Sequence, residues 1–502
     1  HFINGVFESN SADTKFIDVV SPSTGAVVSK VPVGTSDHVA RAATAARAAF
    51  EAWSSTTIKQ RAAIMFRLKA LIERDIQELA ELIVLENGKN ITEAMADVAK
   101  GNETVEWASS LPQMAQGKTL EVSGGIHCTD SKHPLGVVGC IVPFNFPVMV
   151  PLWTVPIALT MGNCVILKPS EKVPRGMIKV AELMTEAGIP PGVFQMVQGA
   201  AEVVTSICDH PIISAVTFVG SSKVAKIVSD RCHKLNKRVL ALGGAKNHLI
   251  ALPDADTGMA SRDVVASFAG CAGQRCMAAS VLVLVGDCDA LLAEVVKNAA
   301  ALQRGQASGQ VGPVIDGIAK ARIVDYIASS VETGAEILLD GRSWASEPNG
   351  FWVGPTVIKH KNLTDKALHD EIFGPVLSVI QVDTWQEAIE IENNNPYGNA
   401  ACIYTEKGAN AEWFINRFRA AMLGVNIGIP VPREPFSFGG LYGTLSKFGD
   451  FDITADGAVE FFSNRRKVTS KWTASYASEQ NAKRVKTSGA VLADKANFDG
   501  KM

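Results

Sequence analysis

The sequence predicts an α/β protein. Short apolar, β-branched runs, among them VVGCIVPF, NCVILKPS, AVTFVG and VLALGG, are separated by amphipathic stretches such as RGMIKVAELMTEAG and SSKVAKIVSDRCHKL. Strands that alternate with helices in this way build a mostly parallel sheet covered on both faces. A second alternation follows the first, and 502 residues exceed the length at which one core stops growing, so two or three domains are expected.

Taken in chain order, HFINGVFESN has neither a basic nor an apolar signal region, which predicts a cytoplasmic protein; the mitochondrial matrix stays open if a transit peptide was removed. From about 36 to 110 the pattern is helical: Ile64, Leu68, Leu71 and Ile72 recur at helical spacing, and Gly88 supplies a stop. GKTLEVSGGIHCTDSKHPLG alternates around a central Gly-Gly and reads as a hairpin arm. VMVPLWTVPIALTM, residues 148–161, is too short to span a bilayer and reads as a buried element. The second alternation runs through HLIALP, the helix leading to Cys276, SVLVLVG, CDALLAEVVKNAAAL, AEILLDG, FWVGPTVI and VLSVIQV. A long ordered loop is expected over 426–450, and VEFFSNRRKVTSKW reads as a late basic strand.

Composition narrows the function. With 48 basic and 51 acidic side chains the net charge is -3, which argues against a nucleic-acid or anionic-membrane surface as the main business. Nine cysteines, odd in number and irregularly spaced, suit a reducing compartment and give no zinc framework.

The one tight reactive cluster is SFAGCAGQRC, residues 267–276. Cys276 is either a small buried hydrophobe or a nucleophile. A thiol attacks as thiolate, so its ordinary pKa of about 8.5 must fall or its proton be taken. Arg275 and a helix terminus after the turn AGQ are the candidate sources of that help. A thiolate adding to an aldehyde creates an oxyanion that needs N–H donors. Gln274, Asn145 in PFNFP and the Cys276 backbone are the candidates.

No G-x-G-x-x-G follows a candidate strand. In TFVGSSKVAKIV a strand instead ends at Gly220-Ser221-Ser222 before a helix, whose free N–H groups suit a phosphate; the plainer reading is N-capping by serine. Lys168 and Glu171 in NCVILKPSE have the donors and acceptors for a ribose diol, or form a solvated pair at a strand end. Glu371 precedes Phe373-Gly374-Pro375 in a turn.

Together VPFNFP, KPSE, FVGS, LALGG, FAGCAGQRC and EIFGPV stand in the order and spacing of the aldehyde dehydrogenase superfamily, which the chain resembles over nearly its whole length. GQRCMA and GAKNH resemble the coenzyme A-acylating methylmalonate- and malonate-semialdehyde dehydrogenases. The resemblance implies an atypical Rossmann NAD-binding domain (1–119 and 139–245), an α/β catalytic domain (246–425), a return segment (426–459) and a β bridging arm for oligomerisation (120–138 and 460–490). It makes Cys276 the nucleophile, with Asn145 and the Cys276 amide supporting the oxyanion. It assigns Phe144, Lys168, Glu171, Gly220, Ser221, Gly243, Glu371 and Phe373 to NAD, requires no metal, and implies a homodimer or homotetramer.

Two departures refine this. Where hydrolytic members carry a glutamate before LGG this chain has Ala241, which gives hydrolysis less support and leaves room for coenzyme A as the acyl acceptor. Arg275 is expected to grip the substrate carboxylate, aided by Lys100 of DVAKG where the subfamily has a second arginine. The implied activity is NAD-dependent oxidation of malonate or methylmalonate semialdehyde through a Cys276 thioester, with decarboxylation, giving acetyl-CoA or propionyl-CoA. The alternatives are a hydrolytic dehydrogenase releasing a free acid, and a catalytically silent relative of the fold.

Overall fold

The two alternations fold as two separate sheets. In a computed structural model of the chain, residues 1–8, 14–123 and 125–471 are described. The first sheet has eight strands, and its centre is five parallel strands in the spatial order Arg238–Leu242, Ile213–Val219, Val137–Ile141, Cys164–Lys168, Phe194–Met196. The chain winds outward from Val137–Ile141 in one direction and then returns to Ile213–Val219 on its other side. Between these two strands the order reverses, and in open α/β sheets that is where a crevice opens beyond the carboxyl ends of the strands.

The second sheet has seven strands in the order Glu336–Leu339, Thr356–Lys359, Val376–Val382, Ala279–Val285, Asn247–Ala251, Ala400–Tyr404, Met422–Val425, parallel except at Glu336–Leu339. Strand Lys447–Gly449 returns to pair with Arg238–Leu242, so chain beyond 426 extends the edge of the first sheet. The expected hairpin arm is formed by Lys118–Ser123 and Ile126–Pro134, and Ser463–Lys471 adds a third antiparallel strand in the register Ser463↔Pro134. Residues 472–490 of the expected arm lie outside the described residues.

The helical region behaves as its spacing dictates. In Ile58–Arg74 the side chains of Ile64, Leu68 and Ile72 are buried, while Leu71 packs at the margin of the core. Gly88 ends helix Ile76–Asn87 with a left-handed cap at φ 90°. Helix Met149–Thr160 buries every residue from Val150 to Thr160, and none of the helices in the described residues is long and apolar enough to cross a membrane.

Two expectations are corrected. VEFF is not strand: Val459–Phe461 finish helix Ala455–Phe461, whose end buries Phe461 and Phe462 in the first core, and the strand starts at Ser463. No helix starts after AGQ either. Helix Thr257–Ala269 gives way to a short 3₁₀ turn, Gly270–Gly273, and Cys276 stands in a turn before strand Ala279–Val285, so its own segment presents no helix N-terminus to the thiol.

Candidate active site

A cavity of about 260 Å³ lies where the carboxyl ends of the first sheet face the loops entering the second. Phe144 and Asn145 reach it from the segment after Val137–Ile141, and Gly220 and Ser221 from the end of Ile213–Val219. Gly243, Cys276, Glu371 and Phe373 complete the set of expected residues that the fold brings together there.

The nucleophile loop is built under strain. Cys271 and Ala272 take positive φ of 50° and 52°, a conformation most side chains avoid, and Gly273 follows at 69°. Gly273 is required: a Cβ on it would lie 2.0 Å from the Gly374 carbonyl oxygen, so the loop carrying Cys276 rests directly on the loop carrying Glu371. The Cys276 carbonyl accepts from Nδ2 of Asn247 at 2.8 Å and of Asn399 at 2.9 Å. Burial, and then the charge of Glu371, push the thiol up to about 12, so the nearby Arg275 charge does not by itself make a thiolate.

The amide donors sort themselves by what they already hold. Gln274 is committed: its Oε1 accepts from the Ile315 N–H at 3.0 Å and its Nε2 donates to Cys271 O at 3.4 Å. Asn145, 7% exposed, donates from Nδ2 to the Gln274 carbonyl at 3.0 Å and keeps a second N–H on the same nitrogen. Its own carbonyl accepts from Nζ of the buried Lys89 at 2.6 Å.

On the opposite wall, Glu371 Oε1 accepts from Ala245 N–H at 2.8 Å, and burial pushes its carboxyl up to about 7. A Cβ on Gly244 would meet Glu371 Oε2 at 2.3 Å. Lys246 pins that loop, donating from Nζ to Ala367 O at 2.7 Å and Asp370 O at 2.8 Å. The Phe373 ring stands edge-on to Phe144, centroids 6.0 Å apart. Ser221 precedes helix Ser222–Lys234 without a side-chain capping bond, so the plain N-cap reading is not what the hydroxyl does. Ser222 instead donates to Leu445 O and accepts from Gly244 N–H.

Four expected residues are not on the cavity wall. Lys168 and Glu171 form an ion pair of 3.0 Å at the end of Cys164–Lys168. Lys168 is buried, so the pair is not the solvated one; burial works most strongly against the Glu171 anion, but Lys168, the Glu171 backbone N–H and Lys172 together hold the carboxyl below its usual range. Arg275 folds back over its own loop, donating to Ala266 O at 3.2 Å and pairing with Glu93 at 3.5 Å. It borders a second, much smaller cavity that also touches Cys276, Lys246 and Glu371. Lys100 pairs with Glu103 at the half-exposed surface of Ile91–Ser109 and lines no part of the Cys276 cavity.

Residues that sequence reasoning passed over matter as much. Asn247 and Lys246 lie inside the quoted GAKNH and Asp97 inside the quoted DVAKG without being read individually, and Asn399 and Lys89 belong to no quoted motif. Arg322 and the ion pair of Lys172 with Asp316 also border the cavity.

The comparison with known proteins decides the family: the model of the aldehyde dehydrogenase family matches residues 7–468. The chain belongs to the aldehyde dehydrogenase family. Among curated members, malonate-semialdehyde dehydrogenase 1 of Geobacillus thermodenitrificans (strain NG80-2) is 41% identical over 479 residues, covering 94% of this chain and 98% of the relative. Among solved members, methylmalonate-semialdehyde dehydrogenase from Oceanimonas doudoroffii is 38% identical with a TM-score of 0.91, covering 94% of this chain and 98% of that one. A Sinorhizobium meliloti 1021 protein solved in complex with NAD is 35% identical with a TM-score of 0.92, covering 95% and 98%. This aldehyde dehydrogenase therefore shares its architecture, over 94% of its length or more, with relatives named for acid semialdehydes.

Proposed function

We propose that this aldehyde dehydrogenase oxidises malonate semialdehyde or its methyl derivative with NAD through a Cys276 thioester, releases carbon dioxide, and passes the acyl group to coenzyme A as acetyl-CoA or propionyl-CoA. The observation that carries the acylating reading is the fate of the carboxylates around the thiol. Position 241 is a fully buried alanine, and of the two carboxylates lining the cavity Asp316 is paired with Lys172, so only Glu371, with one oxygen already accepting from Ala245 N–H, is left to activate water.

The cavity suits NAD by the chemistry of its groups. Gly220 and Ser221 open onto the N-terminus of helix Ser222–Lys234, where orphan N–H groups favour phosphate, and Gly243 leaves no room for a side chain, its Cβ position being 2.2 Å from Leu445 O. Glu371 is the acceptor for ribose hydroxyls on the nicotinamide side, Lys168 and Glu171 serve the adenosine side, and Phe144 and Phe373 supply apolar walls. Bound NAD supplies the hydride acceptor.

In this scheme the Cys276 thiol gives up its proton to solvent as Sγ adds to the aldehyde carbon, and the oxyanion takes the second Nδ2 N–H of Asn145 together with the Cys276 backbone N–H. Loss of hydride leaves an acyl thioester on Cys276. The carbon–carbon bond to the β-carboxylate then breaks, carbon dioxide leaves, and the electron pair spreads into the thioester carbonyl, held by the same donors until a proton arrives. The thiol of coenzyme A takes the acyl group and frees Cys276. Arg275, the cation next to the nucleophile, exchanges Glu93 for the substrate carboxylate.

The rival is hydrolysis, and the observation in its favour is Glu371 itself, a cavity carboxyl pushed up to about 7 and thus a fair base at neutral pH. Incubating the protein with NAD and malonate semialdehyde, with and without coenzyme A, separates the two. The acylating reading expects acetyl-CoA and little free acid; equal rates of free acid in both would replace it with the hydrolytic one. We further propose a cytoplasmic homodimer or homotetramer assembled through the arm, where Leu120, Val122 and Val468 are exposed.

A further inference from the structure

We propose that Lys89 positions Asn145, fixing the oxyanion donor through its backbone. The left-handed cap at Gly88 turns the chain so that the next side chain enters the space beneath the segment 142–147. There the Lys89 side chain is 2% exposed, and its ammonium is bound on three sides. It donates to Asn145 O at 2.6 Å and to Asp97 Oδ2 at 2.6 Å, and stands 3.8 Å from the centre of the Phe146 ring. Asp97 in turn accepts from Met149 N–H at 2.7 Å through its other oxygen, and Asn87 donates to Phe144 O at 2.8 Å. One short stretch, Asn87 to Asp97, thus holds two points of the loop that carries Asn145 and the first residue of the helix that follows it.

The pair is poorly explained as a source of stability. A buried ion pair of this kind contributes little beyond what an apolar pair of equal volume gives, because both ions are stripped of water. What an apolar pair lacks is a directional bond to the Asn145 carbonyl. That bond sets where Nδ2 lies relative to Gln274 O, and so where its remaining N–H points. Donors of an oxyanion act only when held within a fraction of an ångström, and misplacement by 1 Å costs on the order of 10²-fold in rate.

The inference rests on the reading of Asn145 as oxyanion donor, and the test separates the two. Lys89→Met, Asn145→Ala and the combined variant are assayed with malonate semialdehyde, NAD and coenzyme A. Lys89→Met is expected to lower kcat on the order of 10²-fold with KM for NAD within about two-fold, and to add less than about threefold in the Asn145→Ala background. Because Lys89→Met leaves Asp97 without its partner, Lys89→Met with Asp97→Asn is run in parallel; it removes both charges, keeps an acceptor for Met149 N–H, and is expected to show the same kcat loss. A wild-type kcat in either Lys89 variant, or penalties that multiply with Asn145→Ala, would overturn the positioning role. If Asn145→Ala itself retained kcat, the reading of the site would fail and this inference with it.

Discussion

Asn145 Nδ2 donates to the Gln274 carbonyl across 3.0 Å, joining the loop that ends a strand of the first sheet to the loop that presents the thiol from the second. The two halves of the reaction centre come from residues 129 positions apart, so either fold alone leaves it incomplete. Asn145→Ala is expected to lower kcat 10²–10³-fold, roughly 3–4 kcal/mol, the ordinary cost of one oxyanion donor. NAD binding, followed by fluorescence titration, is expected to stay near wild type; a kcat within about threefold would refute the assignment.

The pH behaviour of Cys276 follows from its surroundings. Because burial, and then Glu371, hold the thiol up to about 12, it is protonated at neutral pH in the cofactor-free protein, and alkylation by iodoacetamide should climb with pH from 7 to 10 without a plateau. A neighbouring anion disfavours the thiolate, so Glu371→Gln should lower the thiol's pKa and speed alkylation at pH 8. The difference should fade below about pH 7, where the wild-type carboxyl is itself protonated. An equal rate at pH 8 would show that Glu371 does not act on the sulfur.

Gly244→Ala probes the cofactor wall without touching the thiol. Its Cβ would lie 2.3 Å from Glu371 Oε2, so the carboxylate must give way. KM for NAD is expected to rise at least about tenfold, the loss of a charge-assisted hydrogen bond of about 1.5–3 kcal/mol, while alkylation of Cys276 stays within about threefold. An unchanged KM would remove Glu371 from the ribose site.

The two basic residues expected at the substrate carboxylate should now part company. Lys100→Ala removes only an exposed pair with Glu103 and is expected to leave KM for malonate semialdehyde within about twofold. Arg275→Ala should raise that KM by on the order of 10-fold or more and leave an uncharged aldehyde such as propanal much less affected. Equal losses on both aldehydes would make Arg275 a support of the Cys276 loop through Glu93 and nothing more.

What the sequence revealed depended on how local each signal was. The alternation of strands and helices was legible because periodicity needs only neighbours, and Cys276, Asn145, Glu371 and the Gly220-Ser221 turn were legible because each lies in a short motif at a strand end. VEFF misled because two adjacent aromatics look like strand, whereas they cap the buried end of a helix. Lys100 was placed by a motif match, which does not say which partner a charge takes in the fold; here it takes Glu103. Lys89 and Asn399 carried no signal at all: their partners are 56 and 123 positions away, and only the closed fold makes a lone lysine or asparagine part of the site.

The central claim is a covalent acyl group on Cys276, and the most direct measurement is mass spectrometry of the protein after mixing with NAD and malonate semialdehyde in the absence of coenzyme A. The account predicts an acyl adduct on the peptide containing Cys276, cleared when coenzyme A is added and never formed by Cys276→Ser. Production of NADH with no adduct on that peptide, or full turnover by Cys276→Ser, would contradict it.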